Sequence, residues 1–345
     1  MTDAPLRILH APADVGGQAF GLSRAERELG MYSDVAVFTA GPYGYGADLR
    51  FDLEGTSRWR QLAVRTGVLA RALRSYDIIH FNFAQSFFPW RVRGHLLNEL
   101  PLIKLAGKTI LVTFQGCDVR PQECCFCTRE DCRAETPFRA PNAARFLRYA
   151  DRCFHLVPDL ARFLPGSVFL PYAQVDPRSL EPSEPPAGAD EVVVVHAPTN
   201  REVKGTRHVI AAIEQLRDEG LPVRLDLVEG VVHAEVLRRL RGADIVVDQL
   251  LLGWYGGFAV EAMALARPVV CGIRDDLATD NPFGAELPIV RATPETLADR
   301  LRELVADPDA RLRIGAASRA FAERRHDPRT IAREVLTLAQ RTPKR

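Results

Sequence analysis

The sequence predicts an α/β protein of two doubly wound domains facing each other across a cleft, and three observations carry that expectation. Short β-branched and apolar runs alternate with amphipathic helical stretches along nearly the whole chain. The alternation is broken once, at 176–191, by a proline- and acid-rich segment without periodicity, and then restarts. At 345 residues, 47% hydrophobic and 26% charged, the chain has the length and composition of two globular domains.

The elements follow in order. LRILHA reads as a parallel strand buried on both faces, and ADVGG turns the chain into QAFGLSRAERELG, whose apolar spacing and closing glycine mark a helix. SDVAVFT, YDIIHFNF and KTILVTFQG are further strands, with helical material at about 57–75 and 91–107 between them; DRCFHLVP and GSVFLPY continue the series to about residue 172. A first domain is therefore expected over 1–175, followed by the linker. In the second, 192–326, EVVVVHAP is a strand, GTRHVIAAIEQLRDEG a helix, PVRLDLVEG a strand, HAEVLRRLRGA a helix and DIVVDQ a strand. RPVVCG and LPIV come next, then helices at about 294–307 and 309–325, and a final helix over 327–343 opened by Asp327 and Pro328.

Composition excludes several classes. Lys+Arg at 45 against Asp+Glu at 44 leaves a net charge of +1, so no global basic field draws the chain onto nucleic acid. Apolar runs fall short of a membrane span and no signal-like segment opens the chain, so no transmembrane segment and a cytoplasmic location are expected. Seven cysteines, five of them within 117–132, do not resemble a disulfide framework. There is no Ser-His-Asp set, P-loop or Asp-x-Asp metal motif.

The segment GWYGGFAVEAMALARPVV, 253–270, concentrates the chemistry. Gly256 and Gly257 precede a helix whose first amides lack intrahelical partners, and that end attracts anions such as a diphosphate. Glu261 shares the apolar face with Phe258 and Leu265, where a carboxylate requires partners: either the paired hydroxyls of a ribose, or a structural arginine or backbone group. Arg201 and Lys204, in HAPTNREVKGT after the first strand of the second domain, are expected to point into the cleft, where they would neutralise phosphate oxygens. Trp254 and Tyr255 either stack on a nucleotide or pack in the core, and His233 falls where a base would lie. His10 and His80 sit at strand ends opening on the cleft and either touch a sugar or are satisfied structurally.

The chain resembles the GT-B glycosyltransferases of the glycogen-synthase-like "group 1", a retaining, family 4-like group with two Rossmann-like domains. GGFAVEAMALARPVV resembles that family's Gly-Phe-Gly-x-x-x-x-Glu-Ala-Met-Ala-x-Gly-x-Pro-Val block, and NREVKG its Arg-Lys phosphate clamp. DVGGQAFGLSRAERELG resembles its glycine loop, FQGCDVR its His-Gly-x-Asp turn, and FLPYAQVDPRSLEP its approach to the linker. The resemblance implies a hexosyltransferase-type enzyme using a nucleoside diphosphate sugar, with retention and no catalytic metal. It gives Arg201 and Lys204 the leaving diphosphate, Gly256, Gly257 and Phe258 backbone contacts to it, and Glu261 the ribose. Gly16 and Gly17 would approach the acceptor or donor phosphate, and Gln115 and Asp118 the sugar. The last helix would cross back onto the first domain. A small-molecule, glycan or lipid-linked acceptor is implied, with peripheral membrane contact compatible with the last.

Three positions depart from the family. Its first glutamate falls at Gly253, for which Asp248 is either a substitute or a structural strand-end residue; its turn histidine is Gln115; and Arg201 stands closer to Lys204 than usual. The missing glutamate and Gln115 motivate one alternative, a catalytically silent nucleotide-sugar-binding relative; a sugar-nucleotide 2-epimerase, which shares the fold, is another. In GCDVRPQECCFCTREDC, Cys117, Cys124, Cys127 and Cys132 have spacing compatible with a structural zinc site, Cys125 being another choice of fourth thiolate; a redox disulfide, buried free thiols and an iron–sulfur cluster are the competing readings.

Overall fold

A computed structural model describes residues 4–340 apart from 40, 42, 93–94, 122, 124–129, 183–190 and 280. The chain divides into two compact units, one formed mainly by residues up to Gln174 together with Pro328 onward, the other by Val175–Asp327.

The first unit is built on a seven-stranded parallel sheet. Its spatial order is Leu49–Arg50, Tyr32–Val37, Arg7–His10, Ile78–Asn82, Thr109–Phe114, Arg152–His155 and Val168–Phe169. Ile78–Asn82 is buried along its whole length, as expected for a central strand covered on both faces. Sequence order reverses between Arg7–His10 and Ile78–Asn82, which pair with His10 opposite His80. In a doubly wound sheet this switch point is where a crevice opens beyond the strand ends.

Helix Gln18–Glu28 lies against the final helix, Pro328–Gln340, with Leu22 and Ala25 packing on Ile331, Ala332 and Val335 over Ile8 and Ile78. Arg329 Nη1 reaches Glu28 Oε2 at 3.0 Å across the same contact. The helix also touches the chain at 173–174 so closely that a Cβ on Gly21 would stand 2.0 Å from the Ala173 carbonyl oxygen. Gln18 Oε1 accepts the Ala173 amide at 2.8 Å beside it.

Two stretches differ from the sequence reading. The helical material expected at 91–107 is confined to Leu100–Leu105, with Arg91–Val92 and His95–Leu96 forming an antiparallel pair before it. A helix of 20 residues, Glu130–Tyr149, was not anticipated. Pro137 and Pro141 conceal it, because proline removes a helical donor and ordinarily ends the pattern. Phe146 from this helix nevertheless makes edge contacts with Phe81 and Phe114, and such burial outweighs local propensity.

The second unit has a five-stranded parallel sheet, in the order Val223–Leu227, Val192–His196, Ile245–Val247, Val269–Cys271 and Val290–Arg291. One face is covered by helix Thr206–Asp218, which contributes Val209, Ile213 and Leu216, and by helix Leu297–Ala306, which contributes Leu297, Leu301 and Leu304. Numbered within the unit the order is 2-1-3-4-5, so its switch point lies between Val192–His196 and Ile245–Val247. The segments leaving those two strands carry Lys204 and Gly256.

These packings predict opposite outcomes for two glycines in helices. Gly21→Ala drives a methyl into backbone and destabilises by about 1–3 kcal/mol. Gly67→Ala, where a Cβ meets nothing within 4 Å, stabilises by roughly 0.5–1 kcal/mol. Denaturant midpoints of the two variants check both signs.

Candidate functional site

The site in the second unit is assembled at its switch point. Beyond strand Val192–His196, Asn200 Oδ1 accepts the amides of Glu202 at 3.0 Å and Val203 at 3.1 Å, so Arg201–Lys204 is a capped helical turn rather than an open loop. Gly205, at φ 78°, ends that turn and starts helix Thr206–Asp218. Lys204 leaves the turn with its ammonium 3.2 Å from Asp248 Oδ1 and hydrogen-bonded to Gln249 Oε1. Asp248, 1% exposed at the end of strand Ile245–Val247, accepts the Gly256 amide on its other oxygen at 2.6 Å. A Cβ on Gly256 would come within 3.5 Å of the lysine nitrogen. Lysine, aspartate and the start of helix Gly257–Ala264 therefore form one cluster.

The helix beginning there has no acidic residue in its own first turn, and its N-cap, Gly256, has no side chain to cap it, so the local sequence adds no negative charge to the positive end. Gly257 and Phe258 are half-buried while Ala259–Leu265 are buried. Glu261 lies one turn further in, 3% exposed, with Oε1 2.7 Å from His233 Nε2. Burial works against charging His233, but the hydrogen bond and the charge of Glu261 outweigh it and raise the imidazole pKa. The protein's own partner for Glu261 is thus a half-buried histidine, not the structural arginine or backbone group considered from the sequence.

Arg201 is placed apart from Lys204. Its guanidinium forks onto both oxygens of Glu229, and its side chain is 58% exposed. Such an exposed pair is screened by water and yields readily to a competing anion. Tyr255 is corrected from a nucleotide-facing to a core residue: it is fully buried, stacked on Trp254, with its hydroxyl 3.1 Å from His326 Nε2. Asp248 takes a holding role, since both its oxygens are engaged inside the cluster. Gly253, where the family's first glutamate would stand, has φ 77°, and a Cβ there would meet Arg274 at 3.1 Å. A glutamate at that position is disfavoured by backbone as well as space.

The first unit treats its residues differently. Gly16 and Gly17 are both left-handed, at φ 68° and 75°, and lead into helix Gln18–Glu28. The anion site at that helix start is already filled: Asp14 accepts the amides of Ala19 at 2.9 Å and Phe20 at 3.3 Å. His10 pairs with Glu26 at 2.9 Å, and Glu26 also receives the Ser33 hydroxyl at 2.6 Å; His80 bonds Thr113 at 2.8 Å. The two rings are 4.9 Å apart, both fully buried, and each retains a buried Nδ1 without a protein partner among the described residues. Asp118 folds back onto its own turn, accepting the amides of Gln115 and Gly116. Among the described residues, Gln115 keeps a buried side-chain nitrogen without a hydrogen-bond partner.

Of the cysteines read as a zinc quartet, Cys124 and Cys127 lie outside the described residues, as do Cys125 and the side chain of Cys132; Cys117 is a half-buried thiol. Gln249, Glu229 and Asp14 were missed as site residues. Asp14 alone carried a signal, an acid just before a glycine turn and helix.

Burial raises the Asp14 carboxyl from 3.8 to about 6, against its two amide bonds and His10. Between those values the native state holds a proton that the unfolded chain releases, so stability from this site falls as pH rises through the window. In urea unfolding, wild type should lose ground to Asp14→Asn from pH 3.8 to about 6, and the difference should be flat above that.

No protein-family model matches the sequence, and no curated protein sequence is recognisably similar to it. Solved structures are. A sucrose-phosphate synthase from Thermosynechococcus elongatus superimposes with a TM-score of 0.66 at 18% identity, over 98% of each chain. HepE of Anabaena, solved with UDP-glucose, gives 0.66 at 14% identity over 97% of this chain and 99% of that one. The catalytic domain of starch synthase IV from Arabidopsis thaliana, bound to ADP and acarbose, gives 0.60 at 12% identity over 99% and 100%. Across nearly its entire length, therefore, the chain has the GT-B glycosyltransferase fold.

Proposed function

We propose that this protein is a glycosyltransferase that binds a nucleoside diphosphate sugar in the unit Val175–Asp327 and transfers the sugar, with retention and without a catalytic metal, to an acceptor. The observation that carries the reading is the Lys204 ammonium, held by Asp248 beside the positive end of helix Gly257–Ala264 at the switch point of the sheet. Structural relatives solved with UDP-glucose and with ADP support it.

Each residue has a role in this scheme. The departing diphosphate accumulates negative charge, which Lys204 and the helix end stabilise without reorganising, since Asp248 and Gln249 already hold the lysine in place. Arg201 supplies a second cation when the anion displaces Glu229. Glu261 accepts the ribose hydroxyls, with His233 orienting its carboxylate. On the acceptor side, His10, His80 and Gln115 keep buried nitrogens that a sugar hydroxyl or an ordered water could satisfy. Protein cations perform the work that a divalent ion does elsewhere, which is the basis for the metal-independent reading; a zinc bound by the cysteine cluster would be structural.

One observation favours a second reading, a relative that binds a sugar nucleotide without turnover: the left-handed Gly253 supplies no carboxylate where the family carries its first. Transfer and hydrolysis measured across a donor panel separate the two, because binding without any turnover supports the silent relative.

Calorimetric titration with UDP, ADP and inorganic pyrophosphate tests the donor site. Lys204→Ala should weaken all three by about 10- to 100-fold, the value of roughly 1.5–3 kcal/mol for a charged hydrogen bond. Glu261→Ala should weaken the nucleotides comparably and leave pyrophosphate unchanged. Equal loss of pyrophosphate in Glu261→Ala would remove the ribose assignment.

A further inference from the structure

Helix Arg58–Ser75, RWRQLAVRTGVLARALRS, carries five arginines and no acidic residue, in a chain whose 45 basic and 44 acidic residues otherwise nearly cancel. It is anchored by one face only. Val68, Leu69 and Ala72 are buried, and the buried Arg65 donates to the Phe87 carbonyl at 2.7 Å while lying over the Phe38 ring at 4.5 Å. The opposite face presents Trp59, Arg60, Ala63, Gly67, Arg71 and Arg74, all exposed. Trp59 is 81% exposed, and Leu62 beside it 39%.

Neither feature serves the fold. Arg58 and Arg60 stand in the first turn, where positive charge opposes the helix dipole, and Trp59 buries almost none of its ring. Among the described residues, Arg58, Arg60 and Arg74 have no carboxylate partner, and the nearest acids in sequence, Glu54 and Asp77, lie outside the helix. An exposed indole beside arginines, on a long helix held from behind, is the arrangement that seats a helix flat in a lipid headgroup layer. The ring enters the interface and the guanidinium groups meet phosphates. The face is a convex helix surface rather than a groove, which disfavours single-stranded nucleic acid.

We propose that the outward face of helix Arg58–Ser75 docks the protein on an anionic lipid bilayer, with Trp59 inserted at the interface and Arg60, Arg71 and Arg74 on lipid phosphates. This surface does not depend on the donor site, so the two readings stand or fall separately.

Vesicle co-sedimentation of the full chain tests it, comparing phosphatidylcholine alone with a phosphatidylcholine–phosphatidylglycerol mixture at low and high salt. The protein should sediment only with the anionic vesicles, and less so at high salt. Trp59→Ala should weaken binding, and each of Arg60→Glu, Arg71→Glu and Arg74→Glu should weaken it at least about fivefold. All four changes are at exposed positions, and circular dichroism with thermal unfolding verifies that the variants are folded. Equal binding to neutral and anionic vesicles, no binding to either, or variants that sediment like wild type would overturn the proposal. So would binding of single-stranded nucleic acid, or a dimer, that is lost in the same variants while vesicles are ignored.

Discussion

The second unit depends on one buried carboxylate. Asp248 ends the central strand of the sheet at 1% exposure, where an unpartnered charge would cost several kcal/mol. It is kept by two charge-satisfying contacts, the Lys204 ammonium and the Gly256 amide, drawn from the segments that follow the first and third strands of the unit. That sharing gives the site its form. The lysine cannot swing into solvent without stranding the aspartate, and the helix after Gly256 must begin where the carboxylate fixes its first amide. A site held in this way is preorganised before any ligand arrives.

The same physics, used differently, separates the two units. Each has a glycine pair leading into a helix, and each helix start is a potential anion site. In the first unit Asp14 occupies it, with its carboxyl raised to about 6 by burial. In the second, the N-cap is a glycine without a side chain, and the acid, Asp248, bonds the Gly256 amide from behind the lysine. The loop between strand and helix is correspondingly rigid. Leu250 bonds the Lys204 carbonyl, its own carbonyl oxygen lies 2.1 Å from where a Gly272 Cβ would stand, and Trp254 and Tyr255 are buried beside His326. Gly253 belongs to this framework: its left-handed backbone bends the loop, and a glutamate there would work against the bend.

Much of this was legible in the residues. Buried parallel strands announce themselves as unbroken β-branched runs such as VVVVH, and the GGFAVEA segment placed a glycine start and a buried carboxylate on one helix. What escaped reading was partnership. Nothing in the spacing says that Arg201 turns to Glu229 while Lys204 turns to Asp248, because the glutamate follows a strand on the far side of the first one. Nor does it say that His233, 28 positions before Glu261, is the residue that holds it. Tyr255 looked available because aromatic residues beside a glycine pair suit both a ligand and a core, and only packing decides. The helix Glu130–Tyr149 was hidden by its two prolines, a case of tertiary contacts overriding a local rule.

The central claim is that the helix end beside Lys204, rather than the one capped by Asp14, receives a diphosphate. A structure of the protein with UDP or ADP bound tests it most directly. The account predicts diphosphate oxygens within hydrogen-bonding distance of the Gly257 and Phe258 amides and of the Lys204 ammonium, with the ribose on Glu261. A nucleotide bound at the helix that follows Gly17, or one that leaves the Lys204–Asp248 pair untouched, would contradict it.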